Sequence, residues 1–306
     1  MMREPLIEAV KKRILLGDGA MGTQLMESGL QMGASGDQWV LTQPEKVRAI
    51  HAAYVEAGSE LLLTNTFSAS ALALARHGLS DRTYELNLKA ARLARDCIGP
   101  TGYVVGDIGP FGGFLEPLGN TSRGELQEAF ALQALGLIDG GVDAIIVETM
   151  TALEELGVAI AAIRQVDPTM TIVGSVTYDR VADGGFATMT GVKIRDAVDY
   201  MTQLGVQILG CNCGTGIHIG DYEQIVARYR ELSDKPIMVQ PNAGQPRLDR
   251  GRIVYDETAD RMAVGIPPLI QAGASIIGGC CGTTPEHILR FGQRIFPLRT
   301  SETGIP

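Results

Sequence analysis

Short apolar runs, rich in leucine and β-branched residues, recur along the chain and alternate with longer stretches whose apolar positions follow helical spacing. Eight runs stand out: Arg13–Leu16, Leu61–Thr64, Tyr103–Gly106, Ala144–Val147, Thr171–Val176, Gln207–Leu209, Pro236–Val239 and Ser275–Ile277. Between them, stretches such as PEKVRAIHAAYVEAG and ELQEAFALQALGLIDGG are amphipathic and close on glycine, where helices commonly end. Repeated strand–helix units predict an α/β protein with a parallel sheet. Eight units in 306 residues predict a (β/α)8 TIM barrel, with a doubly wound sheet as the alternative. No linker or composition break divides the chain, so residues 1–306 read as a single barrel domain, and the stretch after Phe296 reads as a short frayed end.

Composition narrows the function classes. Acidic residues outnumber basic ones, 35 to 26, and no run of Lys or Arg is dense enough to track a phosphate backbone, so nucleic acid is excluded as a partner. The N-terminal MMREPLIEAVKKR mixes acid with base, and no uncharged apolar stretch approaches the ~18 residues that span a bilayer. A membrane partner is therefore not expected, and the chain reads as cytoplasmic. Five cysteines are too few for a disulfide scaffold in a chain this long, and an odd number in a reducing compartment points to metal binding or catalysis.

Position then matters more than number, because a TIM barrel builds its active site at the C-terminal ends of its strands. Asp18 follows the first run, Thr64 and Asn65 end the second, and Glu148 follows the fourth. Cys213 ends the sixth run and the Cys280–Cys281 pair ends the eighth, so a closed barrel brings three thiols to one rim across about 67 residues of sequence. Three soft thiolates suit zinc and leave its fourth position free for substrate. Two other readings stand beside this one: a strained vicinal disulfide, or packing as small buried hydrophobes. Period-two alternation points residues 211 and 213 to the same face and cannot choose between their thiols. Cys213 lies further toward the rim and is preferred, which leaves Cys211 to fill the barrel interior. Cys97, at a helix end, reads as inert. Of the histidines, His51 and His77 read as helix positions and His287 as first turn of the last helix; only His218, a few residues beyond Cys213, is a remote ligand candidate. A carboxylate at a barrel mouth either accepts hydrogen bonds from a substrate ammonium or caps the next helix; both remain open for Asp18, whereas Glu148 is the poorer cap.

These residues resemble the homocysteine S-methyltransferase family, which includes the homocysteine-binding module of cobalamin-dependent methionine synthase. The resemblance runs through GDGAMGTQL at 17–25, EAGSELLLTNTF at 56–67, GGVDAIIVET at 140–149, GCNCG at 210–214, QPNAG at 240–244 and IIGGCCGTTPEHI at 276–288. It implies zinc bound by Cys213, Cys280 and Cys281, the last two from the Gly-Gly-Cys-Cys motif. Cys211 departs from the pattern, which has an apolar residue there. The resemblance further implies that Asp18, Thr64, Asn65 and Glu148 bind the amino and carboxylate groups of homocysteine. It places Asn242 near the metal, as a candidate for the open coordination position when substrate is absent. Zinc would then remove the thiol proton that homocysteine otherwise keeps at neutral pH, making the nucleophile for a methyl group.

The donor is read from what the chain lacks. GIHIGD at 216–221 does not satisfy the Asp-x-His-x-x-Gly signature for ligating cobalamin, and the sequence stops just after the eighth unit. A methylcorrinoid, such as methylcobalamin carried by a separate protein, is the expected donor. S-methylmethionine or betaine is the alternative, as is a non-catalytic zinc barrel within a larger methyltransferase assembly. An onium donor would call for an aromatic or acidic cage, and aromatic residues make up only 5% of the chain, which argues for the corrinoid.

Overall fold

The computed structural model describes residues 3–182, 184–249 and 252–301. Eight parallel strands form one sheet: β1 (Leu15–Leu16), β2 (Leu61–Leu63), β3 (Tyr103–Ile108), β4 (Ala144–Met150), β5 (Ile172–Val176), β6 (Ile208–Asn212), β7 (Ile237–Gln240) and β8 (Ile276–Ile277). From β2 to β8 each strand pairs with its neighbour in sequence, and β8 pairs with β1, giving the parallel order of a barrel. The β1–β2 seam is closed by single contacts. Glu60 N–H donates to Leu16 O at 2.8 Å, and Ser59 Oγ donates to Gly17 O at 3.1 Å. Leu63 N–H donates to the Asp18 carboxylate at 2.9 Å. The fold is thus the (β/α)8 TIM barrel that the alternation predicts.

Eight helices follow the strands: α1 (Pro44–Glu56), α2 (Thr83–Ile98), α3 (Arg123–Asp139), α4 (Leu153–Val166), α5 (Ile194–Gln203), α6 (Ile219–Leu232), α7 (Ile266–Gln271) and α8 (Pro285–Ser301). Alternate strand residues divide the core into two layers, as a pleated strand requires. Leu15, Leu61, Tyr103, Ala144, Ile208 and Ile276 belong to an inner cluster closed from below by Leu6, Ala9 and Val10 of the N-terminal helical turn. Leu16, Leu62, Val104, Ile145, Leu209 and Ile277 belong to the outer cluster, packed under the helices. α8 runs past Phe296 to Ser301 with Pro297 inside it, so the expected frayed end is helical that far. The Phe296 ring packs close to Gly58 and Gly292, which anchors this last turn.

Alternation places Cys211 in the outer layer, against the expectation that it fills the barrel interior. Ile208 faces inward, so Leu209 and Cys211 face the helices, where Cys211 is buried beside Tyr222 and Tyr229 of α6. Two small antiparallel hairpins, Asp179–Arg180 with Phe186–Ala187 and Pro246–Asp249 with Arg252–Tyr255, extend the segments after β5 and β7. Among the described residues, no helix is long and apolar enough to cross a membrane.

Candidate metal centre and substrate cavity

The three thiols meet. Cys213, Cys280 and Cys281 form the one group of metal-capable side chains found among the described residues, with their sulfurs all within 4.8 Å of one another. All are free thiols, and Cys280 and Cys281 sulfurs stand 3.9 Å apart, so the vicinal disulfide is absent. Cys213 reaches the group by leaving the strand geometry: its φ is 55°, in the left-handed region that non-glycine residues rarely adopt. Without that turn, alternation would send its side chain outward with Cys211. The turn is held from both sides. Tyr222 Oη donates to Cys213 O, and Cys213 N–H donates to Gln240 O at 3.3 Å. Gly214 follows at φ 106°, where an added Cβ would lie 2.3 Å from Tyr178 O, so both conformation and space demand glycine.

The Cys280–Cys281 turn is fixed by its neighbours. Cys280 N–H donates to Pro241 O at 2.9 Å, and Ala243 N–H donates to Cys281 O at 2.9 Å. Thr283 Oγ1 donates to Cys280 O at 2.7 Å. Gly282 brings the Tyr255 ring against the turn, for a Cβ there would fall 2.1 Å from that ring. Within the group, hydrogen bonds from Cys280, Cys281 and Asn242 hold the Cys213 thiol down to about 3. Cys280 is raised and Cys281 is pushed up to about 12, in each case chiefly by the hydrogen bond to Cys213. The lowering at Cys213 and the raising at Cys280 and Cys281 have one cause, the hydrogen bonds that the thiols share. A site that already stabilises thiolate suits a soft cation. Burial alone keeps Cys211 protonated.

Asn242 lies at this centre. Its Nδ2 stands 3.7 Å from Cys213 Sγ and 3.1 Å from Gly214 O, while its Oδ1 is buried with no partner. The histidines stay away. His218 caps α6 and pairs through Nδ1 with Glu257 at 3.1 Å; His287 Nδ1 faces Thr284 Oγ1 at 2.9 Å. His51 is on α1, but His77 lies in the turn after Ala71–Ala75, not in a helix as its spacing suggested.

Above the thiols a cavity of about 370 Å³ opens at the C-terminal mouth, lined by all three cysteines and by Asp18, Thr64, Asn65 and Glu148. Asp18 is 3% exposed and receives Leu63 N–H across the seam, which settles its local role: it is not a helix cap. Glu148 has one oxygen buried without a partner, and burial with the nearby Cys213 charge pushes it up to about 8. The Thr64 hydroxyl is already engaged, accepting from Asp107 N–H at 2.9 Å and sharing a proton with Thr66 Oγ1 at 2.6 Å. The Asn65 amide donates to Gly36 O at 3.0 Å, tying the β2 end to the loop after β1.

Two further acids reach the cavity, Asp37 and Asp107, and neither was singled out from sequence. Burial raises both, Asp107 well above the carboxylate range with the charges of Glu148, Asp37 and Asp18 adding to it. Asp107 had a signal: it directly follows the run Tyr103–Gly106, just as Glu148 directly follows Ala144–Val147. Asp37 had none, because it sits in an irregular segment that only folding brings to the mouth. Among the described residues, no Lys, Arg or His lines the cavity. A buried concentration of carboxyls with no basic partner suits a ligand that carries its own cationic group.

Fold and site together define a TIM-barrel protein with three thiols grouped as a metal ion would require, under an acid-lined pocket. A family model described as homocysteine S-methyltransferase matches residues 15–295, and the chain belongs to that family. It is 33% identical to the methionine synthases of Mycobacterium tuberculosis and Mycobacterium leprae, over 98% of this chain in each case. The chain spans 26% of the length of those relatives. Among solved structures, the metallated form of the homocysteine methyltransferase MmuM from Escherichia coli superposes with a TM-score of 0.77 at 26% identity, covering 95% of this chain and all of that one.

Proposed function

We propose that the chain as a whole works as one homocysteine-binding unit, transferring a methyl group to the thiol of homocysteine and forming methionine. The observation that carries this reading is the meeting of three free thiols within 4.8 Å of one another beneath a cavity lined by four buried acids. Cys213, Cys280 and Cys281 would hold zinc, since a set of three sulfurs fits that ion and leaves a position for a substrate sulfur. Bound there, zinc supplies the substrate as thiolate at neutral pH. Asp18 and Glu148, which line the cavity, take the substrate ammonium, and one buried oxygen of Glu148 has no protein partner. Thr64 and Asn65 serve through the backbone they fix, because their side chains are committed to Asp107, Thr66 and Gly36. Asn242 stands at the centre with a free oxygen for the vacant position in the absence of substrate. Holding both ends of the amino acid aims its sulfur at an incoming methyl group, and this positioning supplies much of the rate.

The donor in this reading is a methylcorrinoid on a separate protein, supported by the likeness to methionine synthases along nearly the whole chain. The acid-lined cavity, with no basic side chain among the described residues, favours a second reading, a small onium donor such as S-methylmethionine or betaine. The test is methionine formation by the zinc-loaded protein with homocysteine and, separately, methylcobalamin, S-methylmethionine and betaine. Turnover is expected to be fastest with methylcobalamin. Turnover with an onium donor and none with methylcobalamin transfers the assignment to the second reading. No methionine from any donor, with zinc still bound, leaves a non-catalytic zinc barrel.

A further inference from the structure

Among the described residues only two non-glycine residues have positive φ: Thr149, at 60°, and Cys213, at 55°. One follows Glu148 at the end of β4 and the other begins the thiol centre beyond β6. A single side chain joins them. Asn212, fully buried and directly preceding Cys213, accepts from Thr149 N–H through Oδ1 at 3.0 Å and donates from Nδ2 to Thr149 Oγ1 at 2.7 Å. The same Oδ1 accepts from Ser175 Oγ of β5 at 2.6 Å, and Nδ2 stands 4.0 Å from Cys280 Sγ. Its backbone is held as well, for Thr177 Oγ1 donates to Asn212 O at 2.9 Å. Unusual backbone persists only where its surroundings over-determine it, and here the bonds on Thr149 come from the residue adjoining the other unusual position.

We propose that Asn212 is a positioning residue: it ties the Glu148–Thr149 end of β4 to the Cys213–Cys280 centre and so sets the distance between the two places where homocysteine is held. This rests on the functional reading above, in which Glu148 takes the amino group and the thiol centre takes the sulfur. An aspartate could still accept from Thr149 but would bury a negative charge beside the thiol centre, and a shorter side chain cannot span the gap. Asn212 touches no reacting atom in this assignment; it acts through Thr149 and the strand ends.

The experiment loads the intact protein with cobalt(II) in place of zinc, follows the sulfur-to-cobalt absorption band and measures homocysteine binding by calorimetry. Asn212→Ala is expected to keep about one cobalt per chain and its absorption band, yet to bind homocysteine about tenfold more weakly or worse. Thr149→Ala and Thr149→Gly give an independent reading even if Asn212→Ala does not fold. Both lose the bond to Asn212 Nδ2, but glycine takes positive φ without steric cost, so Thr149→Gly is expected to bind homocysteine more tightly than Thr149→Ala. If side-chain packing alone mattered, glycine would be the worse of the two. Unchanged homocysteine affinity in Asn212→Ala, loss of cobalt along with it, or the reverse order at Thr149 overturns the proposal. If the unaltered cobalt protein does not bind homocysteine, the functional reading itself fails and this inference falls with it.

Discussion

Cys211 and Cys213, two residues apart on one strand end, belong to different compartments: Cys211 is sealed in the layer between strands and helices, and Cys213 turns its sulfur to the mouth. The left-handed backbone at Cys213 makes the difference. Removing one thiol should therefore not resemble removing the other. Cys213→Ala, Cys280→Ala and Cys281→Ala should each abolish tight zinc binding, measured as metal per chain after dialysis. Cys211→Ala should keep the metal and cost about 1 kcal/mol of stability from a small core cavity. Metal loss in Cys211→Ala with retention in Cys213→Ala would reverse the assignment.

Asp18 has two tasks that can be separated. Its carboxylate receives Leu63 N–H across the barrel seam, and the proposed function also gives it the substrate ammonium. Asp18→Asn keeps an acceptor oxygen and should leave the melting temperature near that of the parent while weakening homocysteine binding about tenfold. Asp18→Ala leaves the Leu63 N–H unpaired and should lose about 1–3 kcal/mol in addition. Equal thermal losses in both variants would show that the seam bond does not depend on the acceptor.

Tyr222 donates to Cys213 O and contributes nothing to the sulfur set directly. Tyr222→Phe preserves the packing of a fully buried ring and removes the hydroxyl, which bonds Cys213 O and also the Asn242 backbone N–H. Zinc affinity, measured by competition with a chelator, should fall about tenfold, the usual scale for outer groups that orient a ligand. An unchanged affinity would mean that Gln240 and Asn242 suffice to hold the turn.

Asp107 offers a pH test. Its folded carboxyl is raised well above the usual value, first by burial and then by the charges of Glu148, Asp37 and Asp18. Above about pH 4 the unfolded chain releases this proton while the folded chain keeps it, so folding stability falls as pH rises toward neutrality. Asp107→Asn, which cannot ionise, should match the metal-free parent below that range and exceed it progressively above, in denaturant unfolding from pH 4 to 7. A parallel pair of stability curves would show that Asp107 ionises normally in the fold.

Much of the barrel and its centre was legible in sequence for a local reason. Strand and helix periods are properties of neighbouring residues, and in a repeated strand–helix fold the strand ends converge by topology, so Cys213, Cys280, Cys281, Asp18 and Glu148 could be placed at one rim by counting units. Conformation broke the local rules at Cys213. Alternation alone assigned residues 211 and 213 to one face, and the left-handed turn at Cys213, held by Tyr222 and Gln240 from other segments, brings that residue inward. Asp37 reached the pocket through a loop with no period to read, and the pairing of Asn212 with Thr149 joins residues 63 apart in sequence. The sequence by itself determined which residues stand at strand ends, because that depends on repeating local patterns. Only the tertiary structure decided which side chains point into the cavity, since that depends on contacts between segments remote in the chain.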